Sequence, residues 1–526
     1  MKGYLAIVLH AHLPFVRHPE HDDFLEEDWL FEAITETYLP LLAVFDRLAA
    51  EGIPFRLTMT LSPTLTSMLA DELLMQRYTA RLDRTCELVD KEIRRTQTDP
   101  VFNRLAHFYR DHIASLRRAF HDRYRRNLVA AFRALRQSGH LEIITCCATH
   151  GFLPLMQQPE AVRAQVAVGV AHHRKMFGSQ PPGIWLPECG YLPGVESMLA
   201  AEELRYFFVD AHGLERARPT PVYGVYAPIY TPAGVAAFAR DPQSSQQVWS
   251  AECGYPGDPV YREFYRDIGW DLDQSYVRPY IQATGERKNT GIKYFRITGN
   301  TAKKAPYEPE AARQKAAEHA AHFMFHRARQ IDSLASLMDG RPPVVTAPYD
   351  AELFGHWWFE GPAFLEELIR RSASEQSVYR LATPGDFLLE NPENQVCSPS
   401  LSSWGKRGYA ATWLDESNDW IYRHLHHCAE RMVQLAQEHA NADPLQRRAL
   451  NQAGRELLLA QASDWAFIIE TGTMVDYAIR RTQEHLLRFL RLEEQIRQAR
   501  VDERWLAQVE AKDNIFPELD YRVYRR

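Results

Sequence analysis

The feature that most constrains this chain is a series of short apolar or β-branched runs separated by long helical stretches. The runs are Tyr4–Leu9, Phe55–Leu61, Leu141–Cys147, Ile184–Leu186, Tyr206–Val209, Gln247–Trp249 and Pro343–Thr346. Each is too short to be a helix, and few alternate with polar residues, so both faces of each run need cover. Buried parallel strands in βα units satisfy that requirement. Seven such strands predict an α/β fold close to a closed barrel, one strand short of the common eightfold form.

Two segments stand outside the βα rhythm. Between the second and third runs, residues 67–138 predict a helical insertion, with Ile113, Leu116, Phe120 and Tyr124 at helical spacing and Gly139 as a C-cap. The Arg117, Arg118, Arg123, Arg125 and Arg126 run within it reads as a solvated helix face. Residues 271–309 predict a long loop or small excursion. A Pro- and Ser-containing linker follows at 391–404, and beyond it the pattern is helical, with Ile479, Leu486, Phe489 and Leu490 on one stripe. The expected division is a barrel over 1–395 and a helical domain over 396–526.

Charge and cysteine content narrow the function. Sixty-one Lys and Arg against 68 Asp and Glu give a net charge of −7, which offers no field for nucleic acid or an anionic membrane. No apolar run approaches the roughly 18 residues of a membrane span. The seven cysteines contain no C-x-x-C pair, so neither a disulfide framework nor a zinc ribbon is indicated. The expectation is a cytoplasmic protein with reduced, mostly buried thiols.

Chemistry in a parallel barrel gathers at the C-terminal ends of the strands. Those ends carry His10, His12, His150, Glu188, Asp210, Glu252 and Asp350. In Trp185-Leu186-Pro187-Glu188-Cys189-Gly190-Tyr191, a carboxylate follows a strand and a proline, which restricts its freedom. In Ala347-Pro348-Tyr349-Asp350-Ala351-Glu352-Leu353-Phe354-Gly355-His356-Trp357-Trp358, two carboxylates, a histidine and two tryptophans fall close together. Two chemistries fit. Paired carboxylates act as nucleophile and general acid/base on a glycosidic bond, about 5–5.5 Å apart for retention. Alternatively, His10, His12, His150 and a carboxylate hold a divalent metal that activates water. The aromatic residues favour the first, because indole faces suit the C–H faces of sugar rings. A binding or regulatory protein on a silent barrel is the third reading.

These segments, taken in order, resemble the signatures of glycoside hydrolase family 57, and most of all its α-1,4-glucan branching members. His10-Ala11-His12-Leu13-Pro14 is similar to the first signature, Ala148-Thr149-His150-Gly151 to the second, Trp185–Tyr191 to the third and Tyr349–Trp358 to the fourth. Ala462-Ser463-Asp464-Trp465 resembles the last. The resemblance implies a distorted (β/α)7 barrel with a helical insertion and a helical C-terminal domain completing the cleft. It implies Glu188 as nucleophile and Asp350 as general acid/base. His10, His12 and His150 would line the subsite of the attacked glucose, and Trp270, Trp404, Trp413, Asp464 and Trp465 would contact the glucan. Trp249, His356 and Trp357 join the expected binding set. No metal or cofactor is implied, and the expected partner is an α-1,4-glucan such as amylose or glycogen.

The resemblance departs at 213–246. Branching members carry a longer segment there, folded over the cleft, with a functional tyrosine. Here the stretch is shorter, and Tyr223, Tyr226 and Tyr230 are the candidates. A trimmed lid admits water, so α-glucan hydrolysis with little branching is the alternative expectation.

Overall fold

The computed structural model describes residues 1–250 and 254–526. Nine strands form one sheet: β1 Gly3–Ala11, β2 Leu57–Leu61, β3 Leu141–Cys146, β4 Gly183–Trp185, β5 Tyr206–Val209, β6 Ile229–Tyr230, β7 Ala236–Ala239, β8 Val344–Asp350 and β9 Tyr379–Leu381. The order is β6-β7-β5-β4-β3-β2-β1-β8, and every neighbouring pair is parallel except β6 with β7. β1 takes β2 at Val8–Ala11 and β9 at Gly3–Leu5. The seven strands from β7 round to β8 are the staves of a distorted (β/α)7 barrel. Between β7 and β8 the closure is narrow: the Asp241 N–H donates to the Thr346 carbonyl at 2.8 Å.

Six of the seven predicted runs fall on strands, and Gln247–Trp249 does not. Those residues are the last turn of a helix, Pro242–Trp249, which Asp241 caps by accepting from the Ser244 N–H at 2.7 Å, with Pro242 in its first turn. The sixth stave is instead β7, whose Ala-Ala-Phe-Ala sequence lacks the β-branched residues that mark strands. Glu252, placed at the end of the false strand, lies outside the described residues. The 213–246 stretch, read as the place of a lid, contains the β6–β7 hairpin. It is tied to the linker by bridges from Arg218 to Ser398 and from Tyr230 to Val396.

The insertion is helical, with Glu72–Arg95 and Pro100–Arg118 as its long members, capped by Asp71 and Asp99. Ile113, Leu116, Phe120 and Tyr124 are buried. In the basic run, Arg117 pairs with Asp83 and Arg123 with Asp46, both at exposed positions. The 271–309 stretch is largely irregular and is anchored by the buried Asp267 carboxylate, which accepts from the N–H groups of Gly269, Thr290 and Gly291.

Past the linker, the helices Trp420–Glu438, Pro444–Ala460, Ser463–Thr471, Val475–Arg497 and Glu503–Lys512 pack together. Leu486 and Phe489 are buried as expected. Leu490 is exposed, because the inward face continues through Leu492 and Ile496. No helix among the described residues is long and apolar enough to cross a membrane.

Candidate active site

Glu188 stands on the turn immediately after β4. Its backbone is left-handed (φ 62°), as are those of Cys189 (φ 50°) and His150 (φ 58°), the latter just past β3. Non-glycine residues in this region cost of order 1–3 kcal/mol and persist where the surroundings hold them. Here the C-terminal part of the chain does the holding. The Trp404 N–H donates to the Glu188 carbonyl at 2.8 Å, and the Ser463 N–H to the His150 carbonyl at 3.0 Å. Both clamps continue through side chains. Trp404 Nε1 donates to Glu188 Oε2 at 2.7 Å, and Ser463 Oγ to Oε1 at 2.8 Å.

Asp350 ends β8, in register with His10 of β1. Burial and the nearby Glu352 and Glu188 carboxyls push its pKa well above the carboxylate range, against a smaller pull from Arg240. Burial also raises Glu188, to about 7, but Trp404 and Ser463 both donate to its charged form and restrain the rise. The two groups differ in the way paired carboxyls need to: one retains its proton while the other ionises. Glu352 is likewise raised to about 7 by burial. Its Oε1 accepts from Tyr38 Oη and, at 3.2 Å, from the His12 N–H.

The three histidines form one wall. His12 stacks on His150 with centroids 3.8 Å apart, and His10 stacks on Trp185 at 4.8 Å. His10 Nε2 and His150 Nε2 are 3.0 Å apart. His12 reaches the Asp464 carboxylate through Nε2 at 3.1 Å and Ser62 Oγ through Nδ1 at 2.9 Å. Burial holds both His10 and His150 well below the usual histidine pKa, so both are neutral. His12, His150 and Asp464 are close enough to share an ion. Each nitrogen of these two histidines already has a partner, so the set is satisfied by protein groups alone.

Other predicted residues are placed differently. His356 turns to Glu36, with Nδ1 2.7 Å from Oε2, and Arg262 donates to the same carboxylate at 2.8 Å. Glu36 and Tyr38 lie on a π-helical turn, Ile34–Tyr38, a local widening often found at functional sites. Gly355 passes so close to it that a Cβ would lie 1.8 Å from the Glu36 carbonyl, and its φ is +129°. Trp357 is 45% exposed and neighbours Trp249 at 6.2 Å. Trp270 is 52% exposed, its Nε1 donating to Asn289 at 3.0 Å. Trp413 and Trp465 are enclosed, contrary to the expectation that they face sugar. Trp413 stacks on Phe152 at 4.7 Å, and Trp465 donates to the Leu459 carbonyl at 2.8 Å beneath Asp464. Their large apolar rings are used to seat the helical domain on the barrel.

Two participants were not singled out from the sequence. Arg240 directly follows β7, its guanidinium 5.8 Å from the Trp404 ring, and donates to Asp210 at 3.3 Å. The strand-end rule points to it once β7 is recognised. Ser463 lies within the Ala462–Trp465 signature, where Asp464 and Trp465 were singled out instead, and its contact with Glu188 spans 275 residues of chain.

Comparison with known proteins gives the family. The glycosyl hydrolase family 57 model matches residues 6–400, and the 1,4-alpha-glucan branching enzyme C-terminal model matches 424–524. The 1,4-alpha-glucan branching enzyme of Thermococcus kodakarensis is 34% identical over 98% of this chain and 78% of its own length. Among solved structures, the alpha-amylase AmyC of Thermotoga maritima superposes with a TM-score of 0.94 at 48% identity, covering 100% of this chain and 99% of that one. The GH57-type branching enzyme of Pyrococcus horikoshii gives 0.90 at 34% identity, covering 100% and 97%. With a family model spanning most of its length and a full-length structural match, this chain belongs to glycosyl hydrolase family 57.

Proposed function

We propose that the chain is a retaining 1,4-α-glucan branching enzyme. The observation that carries this reading is that its C-terminal segment, matched by the branching-enzyme model, delivers Ser463 and Asp464 to the catalytic carboxylate and the histidine wall. Glu188 is the nucleophile and Asp350 the acid/base. Protonated Asp350 gives its proton to the glycosidic oxygen as the C1–O bond breaks and Glu188 bonds to C1. The Asp350 carboxylate then takes the proton of a glucan 6-hydroxyl, whose oxygen displaces Glu188 with net retention and an α-1,6 branch.

His10, His12 and His150 line the attacked glucose, Trp404 and Asp464 border it, and Trp249, Trp270 and Trp357 supply outlying aromatic surface. The substrate is a neutral α-1,4-glucan, so a net charge of −7 places no demand on recognition. No metal takes part, and full activity in a chelator is expected. The barrel and helical domains divide at 395/396, close to the end of the family 57 match at 400 and ahead of the branching-enzyme C-terminal match that begins at 424. A cytoplasmic place in glycogen synthesis follows from this activity, and the six described cysteines, all free thiols, suit a reducing compartment.

A hydrolytic second reading rests on the 48% identity to an alpha-amylase and on the 213–246 stretch, which is bound into the sheet. Incubation with amylose separates the two. New α-1,6 linkages well in excess of new reducing ends support branching. Reducing ends without branches overturn it in favour of the amylase.

A further inference from the structure

We propose that Ser463 is a positioning residue for the nucleophile: its hydroxyl orients the Glu188 carboxylate and fixes one tautomer through His150 and His10. The inference rests on the reading of Glu188 as nucleophile and adds a partner from the other domain.

The Ser463 hydroxyl has one hydrogen and two neighbours, Glu188 Oε1 at 2.8 Å and His150 Nδ1 at 2.8 Å. An ionised carboxylate only accepts, so the hydroxyl hydrogen goes to Glu188. The Ser463 oxygen must then accept from His150, which therefore carries its proton on Nδ1. His150 is neutral, so its Nε2 is bare and accepts from His10 Nε2–H at 3.0 Å. His10 is neutral as well, which leaves its Nδ1 bare, and that buried atom has no hydrogen-bond partner among the described residues. Every group in the series is assigned without conflict, and the direction is single: His10 to His150 to Ser463 to Glu188.

The backbone makes the assignment rigid. Ser463 N–H donates to the carbonyl of left-handed His150, and Gly151 bridges Ala462 in antiparallel fashion. Ser463 thus holds the same histidine by main chain and side chain while it holds the nucleophile. A helical domain that docks imperfectly deprives Glu188 of the Ser463 donor and leaves the His150 carbonyl without its clamp. Cleavage is thereby coupled to the seating of the C-terminal domain.

The charged and titratable groups facing Glu188 set the background for a test. They are His12 at the end of β1, Cys146 and His150 from β3, the adjoining Cys189, Asp350 at the end of β8 and Asp464 beside Ser463; Arg240 after β7 faces Asp350 and Cys189. Asp464 raises the Glu188 pKa, whereas Ser463 lowers it. These two residues are adjacent in the chain, so a general disturbance of their segment affects both contacts alike, whereas specific roles have opposite signs.

The test follows fluoride release from α-maltotriosyl fluoride by the full chain as a function of pH. This step needs glycosyl-enzyme formation and is independent of whether the acceptor is glucan or water. In Ser463→Ala the acid limb of kcat/KM moves up by about one pH unit, and turnover below that limb falls about tenfold. Ser463→Thr, which keeps the hydroxyl, restores the wild-type limb. Asp464→Asn moves the limb down. An unmoved limb in Ser463→Ala, or a shift of the same sign in Asp464→Asn, overturns the proposal. If Ser463→Ala does not fold, Ser463→Cys serves, and its weaker donor places the limb between wild type and the alanine expectation; a limb at the wild-type position overturns the proposal equally. Absence of fluoride release from the wild-type enzyme would instead overturn the assignment of the catalytic pair.

Discussion

Trp404 holds Glu188 at two points, donating from its indole to Oε2 at 2.7 Å and from its backbone to the Glu188 carbonyl at 2.8 Å. The ring is set by Trp185 on one side, edge-on at 5.1 Å, and by the Arg240 guanidinium on another. Trp404→Phe keeps an aromatic ring and the backbone clamp and removes only the indole donor. A hydrogen bond to a charged group contributes about 1.5–3 kcal/mol, so turnover below neutral pH falls roughly 10- to 100-fold. The acid limb of the rate profile rises with it. An unchanged limb would mean that the bond has no part in ionising the nucleophile.

Glu188 also bears on stability, with a sign opposite to that of an ordinary carboxylate. Its folded pKa, about 7, lies above the unfolded value of 4.5. Its contribution to stability is present below pH 4.5 and is lost as pH rises through 7. Above pH 7 the buried charge costs on the order of 3 kcal/mol. Glu188→Gln, which removes the proposed nucleophile, should be inactive and should melt higher than wild type at pH 8. The difference narrows at pH 5, where wild-type Glu188 is protonated. Calorimetry at the two pH values checks this, and a lower melting temperature for the variant at pH 8 contradicts it.

As the proposed general acid, Asp350 has to protonate a poor leaving group, and that need disappears with a good one. Asp350→Asn loses cleavage of amylose by roughly 10²- to 10⁴-fold, the range for removal of a general acid. It retains fluoride release from α-maltotriosyl fluoride, because fluoride departs without protonation. Equal losses on both substrates would assign Asp350 a binding role only.

The sequence made much of this architecture legible, and its failures have physical causes. Tyr4–Leu9 of β1 and Tyr206–Val209 of β5 are continuous apolar runs, and β2 and β3 mix apolar residues with threonine; such short segments belong to strands buried on both faces. β7 escaped because three of its four residues are alanines, which carry none of the β-branched signal that marks strands. Gln247–Trp249 looked like a strand because Val and Trp favour strands, while the Asp241-Pro242 cap that starts a helix lay six residues upstream. The places of Glu188 and Asp350 at the ends of β4 and β8 were readable from the strands before them. The roles proposed for Ser463 and Arg240 were not, since one depends on a contact across 275 residues of chain and the other follows a strand without a β-branched signal. Trp413 and Trp465 show the converse: a tryptophan near a site in sequence is also the best residue for filling a domain seam.

That division of tryptophans can be measured. Trp270 is half exposed and lacks a buried ring contact, so Trp270→Ala should raise KM for long glucans several-fold and leave the melting temperature within about 1–2 °C, as exposed substitutions do. Trp413 is enclosed against Phe152, and Trp413→Ala should cost about 3–5 kcal/mol. Its kinetic constants at a temperature where it remains folded should change less than its stability. A Trp413→Ala variant of normal stability with a large KM defect would return that residue to the glucan.

The narrow closure between β7 and β8 depends on Asp241. Its backbone N–H bonds Thr346, while its carboxylate caps the next helix and accepts from Arg327 Nη1 and Gln330 Nε2, each at 2.9 Å. Asp241 and Arg327 are almost wholly buried. Removing one member of a buried pair leaves the other charge unmatched at a cost of about 3–5 kcal/mol, whereas replacing both with apolar groups is often close to neutral. Asp241→Asn should therefore be strongly destabilised, and Asp241→Asn with Arg327→Met should recover part of the loss. Arg240 adjoins Asp241 and reaches Trp404, so the single variant should also lose activity before it unfolds. Additive losses in the double variant would show that the pair does not close the barrel.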